Sequence, residues 1–192
     1  MKNLSKLFVA ILATTFAVSA SADPIVWHEN GHTYEVITNP GNGSITWEEA
    51  RDMAEDLGGH LVTITSQAEN QFVAWLVHEY GTDDLQRYWL GGYQDFNLSG
   101  DCEPASCWAW VTGEAWSYDN WWFNEPNNGG EAQHYLHYWP NPGWFDDMEN
   151  RAVMDSFVVE HAVPEPGTLG LLGLGLLGLG LTRRSNMKRQ LA

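Results

Sequence analysis

Two clusters of carboxylate and amide side chains give this sequence its clearest chemical signal. Both lie in the second half of the chain, and neither contains a cationic side chain. Carboxylates crowded on loops repel each other unless a cation neutralises them. The spacing therefore predicts a metal-ion site, with a plain acidic turn as the alternative. The acidic and amide residues of the two clusters are Glu125, Asn127, Asn128 and Glu131, followed by Asp146, Asp147 and Glu149.

Calcium is the metal that these donors favour. Ca²⁺ takes about 6–8 oxygen ligands in flexible geometry, whereas Mg²⁺ prefers a tighter octahedral site that keeps more water. Pro126 can fix the backbone so that the side-chain oxygens of Glu125 and Asn127 face one centre, and a cis bond before this proline is one way to do so. We therefore predict Ca²⁺ as the cofactor.

Catalysis and zinc binding are weaker interpretations of the same region. Glu125 and Glu131 could be the acid and nucleophile of a glycosidase, but a carboxylate pair alone is weak evidence, and we expect no deep cleft in a domain of this size. His134 and His137 lie on an expected strand at a spacing that sends them to opposite faces. We therefore expect no enzymatic activity and no zinc site.

The two cysteines are suited to a local disulfide. Cys102 and Cys107 have four residues between them, and the chain contains no other cysteine. In an oxidising compartment such a pair can close a small ring, which stabilises its own loop rather than the whole fold.

The N-terminus has the organisation of a secretory signal peptide. Two lysines precede the apolar run 7–18, and the small residues 20–22 form a cleavage site. The apolar run is short for a membrane span, which needs about 20 apolar residues. We therefore expect residues 1–22 to be removed and the mature chain to begin at Asp23.

The C-terminus has the organisation of a membrane anchor. An uncharged segment rich in Leu and Gly, residues 168–182, follows a proline-containing break and precedes four basic residues. As a helix it would rise roughly 22 Å, whereas a bilayer core is about 30 Å thick. It is therefore a marginal transmembrane helix, and its basic flank should stay on the cytoplasmic side.

The whole segment 163–192 resembles the PEP-CTERM sorting signal of Gram-negative bacteria. The resemblance rests on Val163-Pro164-Glu165-Pro166-Gly167, on the Leu/Gly span and on Arg183-Arg184. It implies recognition by an exosortase-type protease, loss of the tail, and delivery to the cell envelope, the cell surface or an extracellular polysaccharide matrix. The mature protein would then keep no membrane helix.

Residues 23–162 have the composition of one folded acidic domain. This stretch has the usual size of a single domain and holds all 11 tryptophans. It also holds every acidic residue of the chain except Glu165, but only three arginines. The tryptophans indicate a packed core rather than a disordered acidic chain. The negative field repels nucleic acid and anionic lipid and favours cations, so we exclude nucleic acid as a partner.

Helix signals occur early in this domain and then cease. Thr46 caps a first helix with Glu49 as its capping-box partner, and Ser66 caps a second with Glu69 in the corresponding position. The remainder is rich in Gly, Pro, Asn and Trp, which predicts an α+β domain with a long functional loop region. We expect core packing for most aromatic residues of 121–123 and 138–139, although they could also form a sugar-stacking platform. Short strands are predicted within 25–36 and at 61–64, 88–92, 108–111, 134–138 and 156–160.

Residues 34–160 resemble a C-type lectin-like domain, because many motifs of that family occur here in the same order. The resemblance implies the C-type lectin-like fold, with two helices, short antiparallel strands and a long loop region. The matching stretches include Thr46 to Ala50, Gly58 to Ile64, Glu69 to Phe72, Trp89 to Gly92, Trp108 to Trp110, Asn120-Trp121, Glu125-Pro126-Asn127, Glu131, Trp144, Asp146 and Phe157 to Glu160.

The resemblance also implies a site. In sugar-binding members a Glu-Pro-Asn triplet, a following Glu and a Trp-Asn-Asp triplet hold the principal calcium, and two vicinal sugar hydroxyls complete its shell. Matched residue by residue, this assigns metal and sugar binding to Glu125, Asn127, Glu131 and Asp146. The Glu-Pro-Asn form is similar to that of members preferring mannose, glucose or N-acetylglucosamine, so a glycan or exopolysaccharide is the expected partner.

The chain departs from the family pattern in two places. Phe145 stands where the Asn of Trp-Asn-Asp is expected and cannot ligate a metal, which leaves Asp147 as a possible substitute ligand. Ala54 and Val159 stand where one disulfide pair is expected. The first departure keeps a second hypothesis open, that of a metal-independent protein-binding or structural module of the extracellular matrix.

Overall fold

The computed structural model describes residues 23–38, 43–81, 87–98, 102–130, 132–139, 143–150 and 154–162. The expected signal peptide, the tail 163–192 and Glu131 lie outside these ranges. Across the described ranges, no helix has the length and apolar character needed to cross a membrane. The predicted span 168–182 is outside them.

Two helices and eight strands form the described part of the chain. The helices lie where they were predicted. The strands were also predicted, with the exception of β7, which we expected to be a loop. The elements are α1 (Trp47–Asp56), α2 (Gln67–Tyr80), β1 (Ile25–Val26), β2 (Thr33–Thr38), β3 (His60–Leu61), β4 (Arg87–Gln94), β5 (Trp108–Trp110), β6 (Tyr135–Tyr138), β7 (Trp144–Asp147) and β8 (Met154–His161).

The strands form one mixed sheet in the order β1-β2-β8-β4-β6-β7, with β3 paired to β8 and β5 paired to β4. The pairs are antiparallel except β4 with β8, which is parallel. Thr33 lies opposite His161, so the two ends of the domain meet. Two helices packed on one sheet confirm the predicted α+β class, and the parallel β4–β8 pair departs from the expectation of antiparallel strands.

The two helices begin with different capping geometry. At α1 the box is complete, because Thr46 Oγ1 accepts from the Glu49 N–H (3.1 Å) and Glu49 Oε2 accepts from the Thr46 N–H (2.8 Å). At α2 Ser66 Oγ accepts from the Glu69 N–H (3.2 Å). The buried Glu69 carboxylate instead accepts from the Thr65 N–H at 2.8 Å. The second box is therefore only half formed.

Two apolar clusters form the core on opposite faces of β8. The cluster with α2 includes Val158, and the cluster with α1 includes its neighbours Phe157 and Val159. Ala54 and Val159 are both fully buried in the second cluster. Apolar packing therefore occupies the place where the resemblance would put a disulfide.

Trp144 lies at the centre of the aromatic part of the core, on the strand that also carries Asp146. Its ring is fully buried, and its Nε1–H donates to Asn70 Oδ1 at 2.8 Å. The rings around it belong to Trp110, Trp116, Tyr118 and Trp121. The hydrogen bond from Trp144 Nε1 to Asn70 fixes the Trp144 ring relative to α2.

We expect Asn70→Ala to lower the free energy of unfolding by about 1–3 kcal/mol, because it leaves the Trp144 N–H buried without an acceptor. Urea denaturation of the 23–162 domain measures the effect. Gln71→Ala, at the next and exposed position of α2, is the matched control. An equal loss in both variants would contradict the role of this hydrogen bond.

Candidate functional site

The structure brings Glu125, Asn127 and Asp146 together. The Glu125–Pro126 peptide is cis, and Asn127 Nδ2 donates to Glu125 Oε2 at 2.7 Å. Both oxygens of Asp146 accept backbone N–H groups of the same loop, from Asn127 at 3.0 Å and from Asn128 at 2.7 Å. Two carboxylates and one amide therefore converge at one place.

Strand β7 and its aromatic neighbours position this loop. The Trp144 N–H donates to the Asn120 carbonyl at 2.9 Å, and the Trp122 N–H donates to the Trp144 carbonyl at 3.0 Å. A turn follows, closed by a 2.9 Å bond from the Glu125 N–H to the Trp122 carbonyl. The buried Trp144 thereby holds Glu125 beside Asp146, two positions further along β7.

The negative charge of Asp146 disfavours ionisation of the Glu125 carboxyl group. Burial, followed by the hydrogen bond to Asp146 and its negative charge, raises the pKa of Glu125 to about 8, and the Asn127 amide offsets only part of this shift. Asp146 itself is buried. A cation placed between the two groups would favour the ionised form of Glu125.

The residues present fit a calcium ion by their chemistry. Glu125 and Asp146 offer carboxylate oxygens and Asn127 an amide oxygen, which are the hard donors that Ca²⁺ takes. Across the described residues, no group of three or more His, Cys, Asp or Glu is placed to hold a metal. The candidate set has two carboxylates and one amide, and its expected fourth member, Glu131, lies outside those residues.

The structure places Asp147 away from this set. Asp146 and Asp147 are successive residues of β7, so their side chains point to opposite faces. Asp147 Oδ2 lies 3.5 Å from both Arg87 Nη1 and His137 Nε2. We expected these aspartates on a loop, where both could turn to one ion. The strand prevents that, and Asp147 pairs with cationic and polar side chains instead.

Gln133 is a structural residue of the site that sequence reasoning missed. Its side-chain oxygen accepts from the Gly129 N–H, its N–H donates to Asn128 Oδ1 at 3.0 Å, and its Nε2 donates to Asp147 Oδ1 at 3.4 Å. Gln133 thus ties the candidate loop to β7. The sequence does not single out Gln133, because it belongs to no motif and its partner Asp147 is brought near only by the fold.

Phe145 occupies an aromatic cluster instead of contributing a ligand. Its ring centroid lies 6.2 Å from that of Trp122, 5.5 Å from that of His137 and 5.5 Å from that of Trp139. The Arg87 guanidinium carbon lies 4.0 Å from the Trp139 centroid. The position at which the resemblance expects an amide ligand is therefore part of an apolar surface.

The structure joins Cys102 and Cys107, for which we expected a loop disulfide. The closed loop surrounds the side chain of Gln94, which is buried. Gln94 Nε2 lies within hydrogen-bond distance of three carbonyls of the loop, those of Cys102, Pro104 and Ser106, at 2.9–3.1 Å. The disulfide is a local feature that supports its own loop.

Comparisons with known proteins identify the family of this domain and of its C-terminal segment. The profile of the Lectin C-type domain matches residues 43–152, and that of the PEP-CTERM protein-sorting motif matches residues 162–184. The low affinity immunoglobulin epsilon Fc receptor of Mus musculus is 32% identical to this chain. The match covers 83% of this chain but only 43% of the receptor. Lectin BRA-3 of Megabalanus rosa is 30% identical over 64% of the chain and 67% of the lectin.

The solved structures show the same fold. The C-type carbohydrate-recognition domain of cow CD23 superposes with a TM-score of 0.54 at 22% identity, covering 69% of this chain and 89% of that domain. The sorting motif indicates export and surface sorting in a Gram-negative bacterium. Proteins of this family are generally binding proteins rather than enzymes. This secreted, lectin-like chain belongs to the C-type lectin domain family.

Proposed function

We propose that this domain is a calcium-dependent lectin that binds glycans at Glu125, Asn127 and Asp146. The convergence of these three side chains supports the proposal most strongly, because it sets the buried carboxylate of Asp146 beside the carboxylate of Glu125 and the exposed amide of Asn127. Glu131 is proposed as a further ligand from the family pattern alone. Asp147 is not part of the proposed set, since it faces Arg87.

The side chains have defined roles in this mechanism. When bound, Ca²⁺ would supply coordination positions for two vicinal sugar hydroxyls. The Glu125 carboxylate accepts a hydrogen bond from one hydroxyl, and the Asn127 amide donates to the other. Asp146, held by two backbone N–H groups, fixes the loop and adds charge. The Glu-Pro-Asn order resembles that of family members preferring mannose, glucose or N-acetylglucosamine, so we propose sugars of this type.

We also propose the processing and location of the protein. Residues 1–22 act as the signal peptide, 23–162 as the lectin domain, and 163–192 as a transient membrane anchor removed by an exosortase-type protease. A single shallow sugar site binds weakly, so display of many copies at the cell surface or in an exopolysaccharide matrix would supply avidity.

A glycan array tests the sugar class. We expect the wild-type domain to select mannose, glucose or N-acetylglucosamine glycans in calcium. The double variant Glu125→Gln, Asn127→Asp should alter or abolish this selection, because it exchanges the acceptor and donor groups. Circular dichroism serves as the control for folding. An unchanged selection in a folded double variant would reject the assignment.

A metal-independent protein-binding or structural module is the second candidate, and Phe145 favours it. An aromatic ring stands where a ligand is expected, and it packs against Trp122 and Trp139. A module of this kind would bind its partner equally well in calcium and in EDTA. A folded wild-type domain that gives no glycan-array signal in calcium or in EDTA would favour it over the lectin.

A further inference from the structure

A strip of aromatic side chains runs from the residue after β1 along the exposed side of α2. The ring of Trp27 stacks on that of Phe72, with their centroids 5.7 Å apart. The Trp75 centroid lies 5.8 Å from that of Phe72 and 5.9 Å from that of Tyr80. We name Trp27, Phe72, Trp75 and Tyr80 the aromatic strip. Trp75 and Tyr80 are 45% and 37% exposed, so this part of the strip is open to a partner.

The face of α2 that carries the strip has little charge, although the domain as a whole is strongly acidic. The helix contains no lysine or arginine, and Glu79 is its one exposed carboxylate, because Glu69 is buried. The aromatic strip therefore belongs to a nearly neutral, apolar face. On α1, by contrast, five carboxylates are exposed, those of Glu48, Glu49, Asp52, Glu55 and Asp56.

The two helices lie on opposite sides of the sheet. The apolar residues of α2 belong to the core cluster that holds Val158, whereas those of α1 belong to the cluster that holds Phe157 and Val159. Successive residues of a strand point to opposite faces of a sheet. The aromatic strip and the acidic surface of α1 therefore point away from each other.

The chain leaves the domain beside the aromatic strip. Thr33 pairs with Val26 on one side and with His161 on the other, so Val26 and His161 lie about 10 Å apart. Trp27, the first ring of the strip, directly follows Val26. The strip therefore begins close to the point at which β8 ends.

The apolar C-terminal segment has to stay near this point. Residues 163–167 are all that separates Ala162, the last residue of the described domain, from the uncharged segment 168–182. Even fully extended, this connection reaches no more than about 22 Å. A domain of this size has a radius of gyration of about 14 Å, which corresponds to a diameter of about 37 Å. A membrane that holds segment 168–182 would therefore face the side of the domain where the chain ends.

We propose that the aromatic strip lies on a lipid surface of neutral headgroups while the tail anchors the chain. This inference rests on the membrane anchor of the proposed function. Trp and Tyr favour the membrane–water interface, where the ring contacts apolar chains and its polar atom stays hydrated. The low charge of the α2 face permits this contact, and the acidic α1 face points away from the lipid. Removal of the tail would release the domain, because a few rings alone bind a membrane weakly.

Probes on the two helices of the full chain test this contact. The chain is reconstituted into phosphatidylcholine vesicles in EDTA, with a fluorophore on Gln71→Cys of α2 or on Asp52→Cys of α1, both exposed positions. A phosphatidylcholine that carries a nitroxide in its acyl chain should quench the α2 probe at least about threefold more than the α1 probe. The double variant Trp75→Gln, Tyr80→Gln should remove this difference, and Trp75→Gln alone should reduce it.

Phe96→Gln is the matched control, because Phe96 is an exposed aromatic outside the strip and its loss should leave the difference unchanged. Circular dichroism checks that each variant is folded. Equal quenching of the two probes, or a difference that survives in the folded double variant, would overturn the contact.

Vesicle flotation reports on the anchor separately. A full chain that floats with the vesicles while its two probes are quenched equally would overturn the lipid contact and leave the anchor intact. Protection of the α2 probe from aqueous acrylamide without quenching by the nitroxide lipid would indicate contact with a second copy of the chain, and it would also overturn the proposal. A chain that does not float would overturn both. Calcium and sugar are absent from every sample, so failure of the lectin assignment would not alter these outcomes.

Discussion

Glu125→Gln should abolish the rise in melting temperature that calcium gives the wild-type domain, and it should stabilise the calcium-free domain at pH 8. Calcium at a hundred times its dissociation constant stabilises a protein that binds it only when folded by about 2.7 kcal/mol. Gln keeps the shape of Glu but cannot supply a carboxylate ligand. The wild-type gain should therefore fall to nearly zero in the variant.

The same substitution should stabilise the calcium-free protein, whereas in calcium it removes the stabilisation that the metal gives. Burial and Asp146 raise the pKa of folded Glu125 to about 8. The folded state therefore holds a proton that the unfolded state has lost, and stability declines as the pH rises from the unfolded pKa of about 4.3 through about 8. Gln cannot ionise, so the variant escapes this loss.

Thermal unfolding in calcium and in EDTA at pH 8 measures both effects. Glu79→Gln is the matched control, because Glu79 is an exposed carboxylate near the end of α2 and should behave like wild type. A Glu125→Gln domain that keeps the full calcium shift would place the metal elsewhere.

Calcium affinity should increase steeply with pH. Because the ligand must be deprotonated and Glu125 titrates near 8 without metal, binding releases a proton below that pH. The dissociation constant should fall on the order of tenfold per pH unit well below the pKa, and about fiftyfold between pH 6 and pH 8.

Calorimetric titrations at pH 7, in buffers of different ionisation enthalpy, count the released protons directly. We expect nearly one proton per calcium at that pH. An affinity that does not vary between pH 6 and 8, with no proton release, would show that Glu125 is already ionised or is not a ligand.

Local signals explain why most of the fold could be predicted. Thr46 and Glu49 are close in sequence, so their capping box needed no knowledge of the rest of the chain. Glu69 shows the limit, since its carboxylate turned to Thr65 and the buried Tyr34 hydroxyl. That partner is 35 residues away in sequence, so only the tertiary structure reveals it.

The site divides in the same way. Glu125 and Asn127 are neighbours in one triplet, so their type and spacing could be interpreted directly. Residue types placed Asp146 in a cluster with Asp147 and Glu149, and only the family pattern singled it out. Strand β7 carries few signals of its own, because its pairing with β6 across a loop defines it. The opposite orientation of Asp147 and the bridging role of Gln133 follow from that pairing, which the sequence does not contain locally.

The central claim is that Glu125, Asn127 and Asp146 bind a saccharide through calcium. Calorimetric titration of a mannose-type oligosaccharide into the 23–162 domain, first in millimolar calcium and then after excess EDTA, tests it most directly. We expect saturable heat of binding in calcium and none in EDTA, with the signal restored when calcium is added back. Equal binding in both buffers, or no binding in either by a folded domain, would contradict the claim.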